Sequence, residues 1–139
     1  MRLISVILIS LLTISAFGQK KKSGADMSPE AVAYNQKLST ALKLQVSEQY
    51  ENAEQAFDEL LKSQPTKGDV YYYYGETVIK DYLSDTLSNS LTELAGKANS
   101  LFTKGIQQDS LNMLNNIGLG AICLLRSNDT IAADKYFSK

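Results

Sequence analysis

Histidine and tryptophan are absent from the 139-residue sequence, which has only one cysteine and two prolines. Without histidine, the chain lacks the commonest general base and cannot assemble a catalytic triad that uses an imidazole. A zinc site would have to be built from carboxylates and a single sulfur ligand, which is an unusual donor set for zinc. The sequence therefore predicts no catalytic residues, no metal site and no cofactor.

The charges are close to balanced, with 14 basic and 15 acidic residues and a net charge of −1. Proteins that bind nucleic acid through its phosphates usually carry a basic excess, so the composition predicts no nucleic-acid partner. Hydrophobic residues make up 44% of the chain and charged residues 21%. These values are typical of a globular protein, and the length suits one domain.

Residues 1–18 have the pattern of a signal peptide. A positive start at Met1-Arg2 precedes an apolar run over 3–17, which is shorter than the roughly 20 residues that a membrane-spanning helix needs. Small residues before position 19 predict cleavage between Gly18 and Gln19. The mature chain is then expected in the periplasm or outside the cell, with no stable membrane span. The alternative is an uncleaved membrane anchor.

Residues 19–27 contain three consecutive lysines and are predicted to form a flexible, solvated linker. Three charges are fewer than the four to eight of an anionic-lipid binding patch. The single cysteine, Cys123, is far from the cleavage site, so it cannot carry a lipid there. It lies in the apolar run 117–125, and we interpret it as a small buried residue.

Apolar residues recur at helical spacing from residue 28 to residue 139. Leu38, Leu42 and Val46, for example, are four residues apart, the pattern of one helix face. No segment with alternating polarity predicts a strand, so the fold class is all-α. Capping residues and prolines divide the chain into successive helices. These helices are predicted to follow Ser28, Gln49, Asp69, Ser90, Asp109-Ser110 and Asn128-Asp129, with the fifth running from about Leu111 to Arg126.

A small residue and an aromatic residue recur in consecutive helices. The central copy has Tyr71, Tyr74, Gly75 and Val78 in one helix, then Ala98 and Phe102 in the next. The first copy has Ala53 and Phe57, and the third has Gly118, Ala133 and Phe137. Ala41 and Gly75 are 34 residues apart, which is the repeat length of the tetratricopeptide family. Residues 28–139 therefore resemble that family, with three degenerate copies.

The resemblance implies a right-handed α–α superhelix of about three antiparallel helix pairs, the last of them truncated. Small residues let helices approach closely, phenylalanines fill the gaps between pairs, and stacking buries a shared core. The residues expected in these packing positions are Ala41, Ala53, Phe57, Gly75, Ala98, Phe102, Gly118, Ala133 and Phe137.

The resemblance also implies a function. In this family, the first helix of each pair lines a concave groove that binds another protein or a peptide, without catalysis. The residues carried over to that groove are Asn35, Leu38, Leu42, Asp69, Tyr72, Glu76, Ile79, Lys80, Asn112, Asn115, Leu119 and Ile122. The basic cluster with which some members bind a carboxylate is missing, since Lys80 alone cannot supply it.

Two departures from the repeat carry their own expectations. The central copy has about eleven extra residues around 81–93, which predicts either a longer loop or lengthened helices. The last helix is short and carries Ile131, Tyr136 and Phe137. The interpretation is either that the natural chain continues beyond Lys139 or that this end associates with another copy. A structural or assembly role is therefore the alternative function.

Two further alternatives are weaker. Glu54 and Asp58 lie four residues apart on a helix and could form an acid–base pair in an enzyme. However, nothing nearby builds the apolar pocket that raises a carboxyl pKa, so a solvated helix face is the better interpretation. The helical half of an outer-membrane glycan-binding lipoprotein is also disfavoured, because the lipid-bearing cysteine is missing.

Overall fold

The computed structural model describes residues 27–88 and 90–139. Within them the chain is all-helical, with six α-helices and no strand: α1 (Pro29–Val46), α2 (Tyr50–Ser63), α3 (Gly68–Ser84), α4 (Leu91–Gln108), α5 (Leu114–Ser127) and α6 (Thr130–Phe137). None of these helices is long and apolar enough to cross a membrane. The predicted signal peptide and all of the predicted linker except Met27 lie outside the described residues.

Side-chain caps define three of the helix starts. The Ser28 hydroxyl accepts a hydrogen bond from the Ala31 backbone N–H at 3.2 Å, at the start of α1. The Ser90 hydroxyl does the same for Glu93 at the start of α4, at 3.4 Å. At the start of α6, Asp129 accepts from the Ala132 N–H at 2.8 Å. Each of these oxygens satisfies a backbone donor that the first turn leaves without a partner.

The start of α5 differs from the prediction. It begins at Leu114 rather than Leu111, because Asp109 ends α4 instead of starting the next helix: its N–H still donates to the Gly105 carbonyl at 2.9 Å. The Asn112 side chain then accepts from the Leu114 N–H at 3.0 Å. The predicted cap therefore lies three residues too early.

Successive helices are antiparallel, whereas alternate helices run in the same direction. Gly75 of α3 lies against Phe102 of α4, and Gly68 lies against Asp109, the residue that follows α4, so the order of contacts is reversed along the second helix. The α1 backbone contacts α3, and the α3 backbone contacts α5. Among the described residues the even helices make no such contact with one another, although an ion pair between Glu54 and Lys97 joins α2 to α4. The odd helices therefore form one side of the stack.

Two apolar clusters form the core. One lies between α1, α2 and α3 and contains Ala41, Ala53, Phe57, Leu60 and Val70. The other lies between α3, α4 and α5 and contains Val78, Ala95, Ala98, Phe102, Leu119 and Ile122. The Tyr74 side chain packs against both clusters, so α3 is the helix that joins them. A single helix pair would leave one of its apolar faces exposed to solvent. Because α3 contributes to both clusters, it joins the first pair to the second.

Glycines set the distance between helices in the second cluster. The Phe102 ring is fully buried, and one edge of it lies against both Gly75 of α3 and Gly118 of α5. A Cβ atom added to either glycine would overlap that ring edge. Gly105 of α4 likewise leaves room for the Asn115 side chain of α5. The close approach of α3, α4 and α5 therefore depends on the lack of a side chain at these positions.

The extra residues of the second pair lengthen its helices. Beyond Gly75, α3 continues through residues 76–84, whereas beyond Ala41, α1 continues only through 42–46. Before Ala98, α4 contains residues 91–97, whereas before Ala53, α2 contains only 50–52. Each helix therefore gains four residues, about one helical turn, which preserves its buried face. The remaining difference is a longer turn at 85–90.

The last pair is less well covered than the others. Ala133 of α6 is buried, and the Phe137 ring lies against Gly120 of α5. Phe137 is nevertheless 48% exposed, whereas Phe57 and Phe102 are fully buried. In the first two pairs the following odd helix covers the phenylalanine; in the described chain no helix covers Phe137 in that way.

Candidate binding face

A depression of about 550 Å³ lies along α1, on the side away from α2. Leu38 and Leu42 are half-buried in it, while Asn35, Ser39, Lys43 and Val46 are exposed around them. Val46 is 79% exposed. An apolar strip flanked by amide, hydroxyl and ammonium groups can bind a partner that presents both apolar and polar groups.

Near the C-terminal end of α1, a polar network connects this helix to α3. Gln45 is almost fully buried, and its side-chain N–H donates to the Thr77 hydroxyl at 2.8 Å and to the Glu76 carboxylate at 3.3 Å. The Lys80 ammonium donates to the Gln45 side-chain oxygen at 3.4 Å and is 3.4 Å from Glu76. Glu76 and Lys80 are therefore held in place by one buried amide. Both remain partly exposed on the odd-helix side.

Asp69, another residue predicted to line the groove, is engaged within the protein. Its carboxylate accepts a hydrogen bond from the Tyr34 hydroxyl of α1, with distances of 3.1 and 3.2 Å to the two oxygens. The Lys67 ammonium lies 5.2 Å from the centre of the Tyr34 ring. Burial, followed by the charge of Asp69, raises the pKa of Tyr34 well above its usual range. Asp69 therefore links α1 to α3 rather than standing free for a partner.

Tyr72 and Ile79 are half-buried against the second core cluster. The Tyr72 ring centre is 6.0 Å from that of Phe102 and 5.4 Å from that of Tyr73. Burial raises the pKa of the Tyr72 hydroxyl, and the nearby Glu76 carboxylate adds to the effect. These two side chains support the face by packing and present only part of their surface on it.

The predicted contribution of α5 to the groove needs correction. Asn115 is fully buried and donates to the Gly68 backbone carbonyl at 2.8 Å, while Leu119 and Ile122 are buried in the core. Asn112 lies before α5, where its side chain accepts a hydrogen bond from the Leu114 N–H. Gly105 of α4 leaves room for Asn115, and Leu119 and Ile122 pack with side chains of α3 and α4 in the second cluster. The accessible face is therefore formed mainly by α1 and α3.

Sequence reasoning also missed residues on this face. Ser39, Lys43, Val46 and Ser47 line the depression but were not predicted to belong to it. The signal was present, because Asn35, Ser39 and Val46 follow the same helix face as Leu42 at three- and four-residue spacing. On α3, the 56% exposed Leu83 extends the face in the same way.

The carboxylates considered for acid–base chemistry lie in separate ion pairs. Asp58 is 2.6 Å from the Lys62 ammonium, and Glu54 pairs with Lys97. The Lys97 ammonium also lies 5.4 Å from the centre of the Tyr74 ring. In the part of the chain that the structure describes, no three acidic or cysteine side chains come together in a way that could hold a metal ion.

Comparisons with protein-family models, with curated proteins and with solved structures found no match for this chain. The interpretation of the face therefore depends on the residues and contacts described above.

Proposed function

We propose that this protein is a non-catalytic protein-interaction scaffold of the tetratricopeptide type, which acts in the bacterial envelope or outside the cell. Its helix pairs stack as a right-handed superhelix. The partner is a protein or peptide that lies along the side formed by the odd helices. Its apolar side chains contact Leu38, Leu42 and Val46. Its polar groups meet Lys43, Glu76 and Lys80.

The observation that carries the proposal is the contact of α1 with α3 and of α3 with α5 on one side of the stack. That contact makes a continuous face from helices of different pairs. On this face α1 carries the apolar depression, while α3 carries Glu76 and Lys80, whose side chains are bonded to Gln45 of α1. Fixed side chains lose little conformational freedom on binding, which favours affinity.

The test uses two charge reversals on the same helix. Lys43 lines the depression, whereas Lys37 lies on the side of α1 near Leu60 of α2 and near Gln64, which follows that helix. We expect Lys43→Glu to reduce capture of the partner from the envelope fraction at least several-fold, because it places a like or unpaired charge in the interface. Lys37→Glu should capture as the wild type does. Captured proteins are identified and quantified by mass spectrometry, and circular dichroism checks that both variants keep their helicity.

Equal recovery of every captured protein by wild type, Lys43→Glu and Lys37→Glu would remove the assignment to this face. Equal loss in both variants would indicate a general effect of charge rather than a site on α1.

A second candidate function is self-association through the end formed by α5 and α6. The observation that favours it is the exposure of four large apolar side chains on this last pair: Ile117, Leu124, Ile131 and Phe137. Sedimentation equilibrium tests it, because self-association makes the apparent mass rise with concentration. Ile117→Ser should then lower the association, whereas Val46→Ser, on the opposite part of the stack, should not. A constant monomer mass across the concentration range excludes this candidate.

A further inference from the structure

One short pattern recurs at three helix ends of this chain: aspartate, then a hydroxyl residue, then a large aliphatic residue. The three copies are Asp85-Thr86-Leu87, Asp109-Ser110-Leu111 and Asp129-Thr130-Ile131. The first follows α3, the second follows α4 and the third starts α6. The copies are not spaced by the helical repeat, so the stacking of helix pairs does not explain their recurrence.

The aliphatic residue of each copy lies in solvent. Leu87 is 97% exposed, Leu111 is 89% exposed and Ile131 is 75% exposed. In the described residues only one other large apolar side chain, that of Val46, is exposed to this extent. These side chains pack against almost nothing, so the fold gives no reason for an aliphatic residue at these positions.

The hydroxyl residue of each copy is also accessible. Thr86, Ser110 and Thr130 are all exposed, and within residues 27–88 and 90–139 no hydrogen bond engages any of the three hydroxyl groups. The aspartates have partial structural roles: Asp85 accepts from the Leu87 and Ser88 N–H groups at 3.2 and 3.1 Å, and Asp129 caps α6. Capping explains an acidic residue at a helix end but neither the hydroxyl nor the aliphatic residue after it.

We propose that Thr86, Ser110 and Thr130 are acceptor sites for an O-linked glycan, attached by a transferase that reads the preceding carboxylate and the following aliphatic side chain. The hydroxyl oxygen forms a bond to the anomeric carbon of an activated sugar. The bond from that carbon to the phosphate leaving group of a glycosyl-phosphate donor breaks, and the hydroxyl proton passes to a base of the transferase. Exposed residues at helix ends suit this reaction, because the acceptor must enter another protein's active site.

Sugar rather than phosphate is the group favoured by the export signal predicted at residues 1–18. An exported chain leaves the compartment that holds nucleoside triphosphates, whereas sugars are also available outside it on lipid-phosphate carriers. A glycan is bulky and solubilising on a protein surface. It would also cover the exposed leucine or isoleucine next to its attachment point. The inference does not depend on the proposed binding face.

The test is intact-mass spectrometry of the full chain produced in its own host, followed by fragmentation that locates the modified residues. We expect up to three equal mass increments, assigned to Thr86, Ser110 and Thr130. Each of Thr86→Ala, Ser110→Ala and Thr130→Ala should remove one increment and leave the other two. Thr66→Ala is the matched control, since Thr66 is an exposed threonine in the turn between α2 and α3 but follows a proline; its mass should change only by the substitution.

Two further variants test how the site is read. Asp85→Asn keeps an oxygen that can accept from Leu87 and Ser88, and Leu87→Ser removes the aliphatic group without touching the core. Each should abolish the increment on Thr86 and leave those on Ser110 and Thr130. A bare polypeptide mass in protein recovered from the envelope overturns the proposal. So does a phosphoryl increment, or a glycan on Asn128, which begins the N-linked acceptor pattern Asn128-Asp129-Thr130.

Discussion

Replacing Gly75 by alanine tests whether a missing side chain sets the distance between α3 and α4. In a helix interior, alanine is favoured over glycine by about 1 kcal/mol. At Gly75, however, the added Cβ would overlap the buried ring of Phe102, and overpacking of this kind costs about 1–3 kcal/mol. The ring cannot easily move away, because the same edge also lies against Gly118.

Gly96 provides the matched control, because it lies in the interior of α4 and a Cβ atom added there would meet no heavy atom within 4 Å other than those of its chain neighbours and its own helix backbone. Gly96→Ala should therefore raise the free energy of unfolding by about 0.5–1 kcal/mol. Gly75→Ala should leave it unchanged or lower it by up to about 2 kcal/mol. The helix-propensity gain is common to both variants, so their difference, about 1–3 kcal/mol, isolates the steric cost.

Urea denaturation followed by far-ultraviolet circular dichroism measures both values, with the slope checked for constancy. A third variant, Phe102→Leu, makes the assignment specific. If the ring is the obstacle, Gly75→Ala should cost less in the Phe102→Leu background than in the wild type, by roughly 1 kcal/mol. Equal stabilisation by Gly75→Ala and Gly96→Ala, or strictly additive effects with Phe102→Leu, would refute the reasoning.

Two other predictions concern polar contacts between helices. Asn115→Asp should lower the free energy of unfolding by about 2–4 kcal/mol at neutral pH, because it buries an unpaired charge against the Gly68 carbonyl; Asn112→Asp, whose oxygen can still accept from Leu114, should change it little in the same urea titration. Tyr34→Phe should remove part of the pH dependence of the free energy of unfolding. Folding raises the pKa of Tyr34, so this residue stabilises the fold below the pKa of the unfolded chain, about 10, and the stabilisation is lost as the pH rises above that value. The wild type should then lose stability more steeply than Tyr34→Phe above about pH 10, and parallel curves would contradict the pKa rise attributed to burial and to Asp69.

Local signals in the sequence were enough to establish the helical class and most helix boundaries. Apolar spacing identified the helices, while Ser28 and Ser90 marked two of their starts, because these signals depend only on neighbouring residues. The small and aromatic positions Gly75, Phe102 and Gly118 were predicted from the resemblance to the tetratricopeptide pattern. One boundary could not be predicted from local signals. The predicted start of α5 is wrong, because the Asp109 N–H bonds to the Gly105 carbonyl and Asp109 therefore ends one helix instead of capping the next.

Which of the predicted groove residues remain accessible depends on the packing of the helices. Asn115 and Leu119 were predicted to face a partner, but Asn115 fits against Gly105 of α4 and Leu119 packs into the second core cluster, so both are buried. Asp69 accepts a hydrogen bond from Tyr34, 35 residues away, which no local pattern reveals. Sequence periodicity fixes which side of a helix a residue occupies; the distance to the neighbouring helix, set by contacts far apart in the chain, determines whether that side is open.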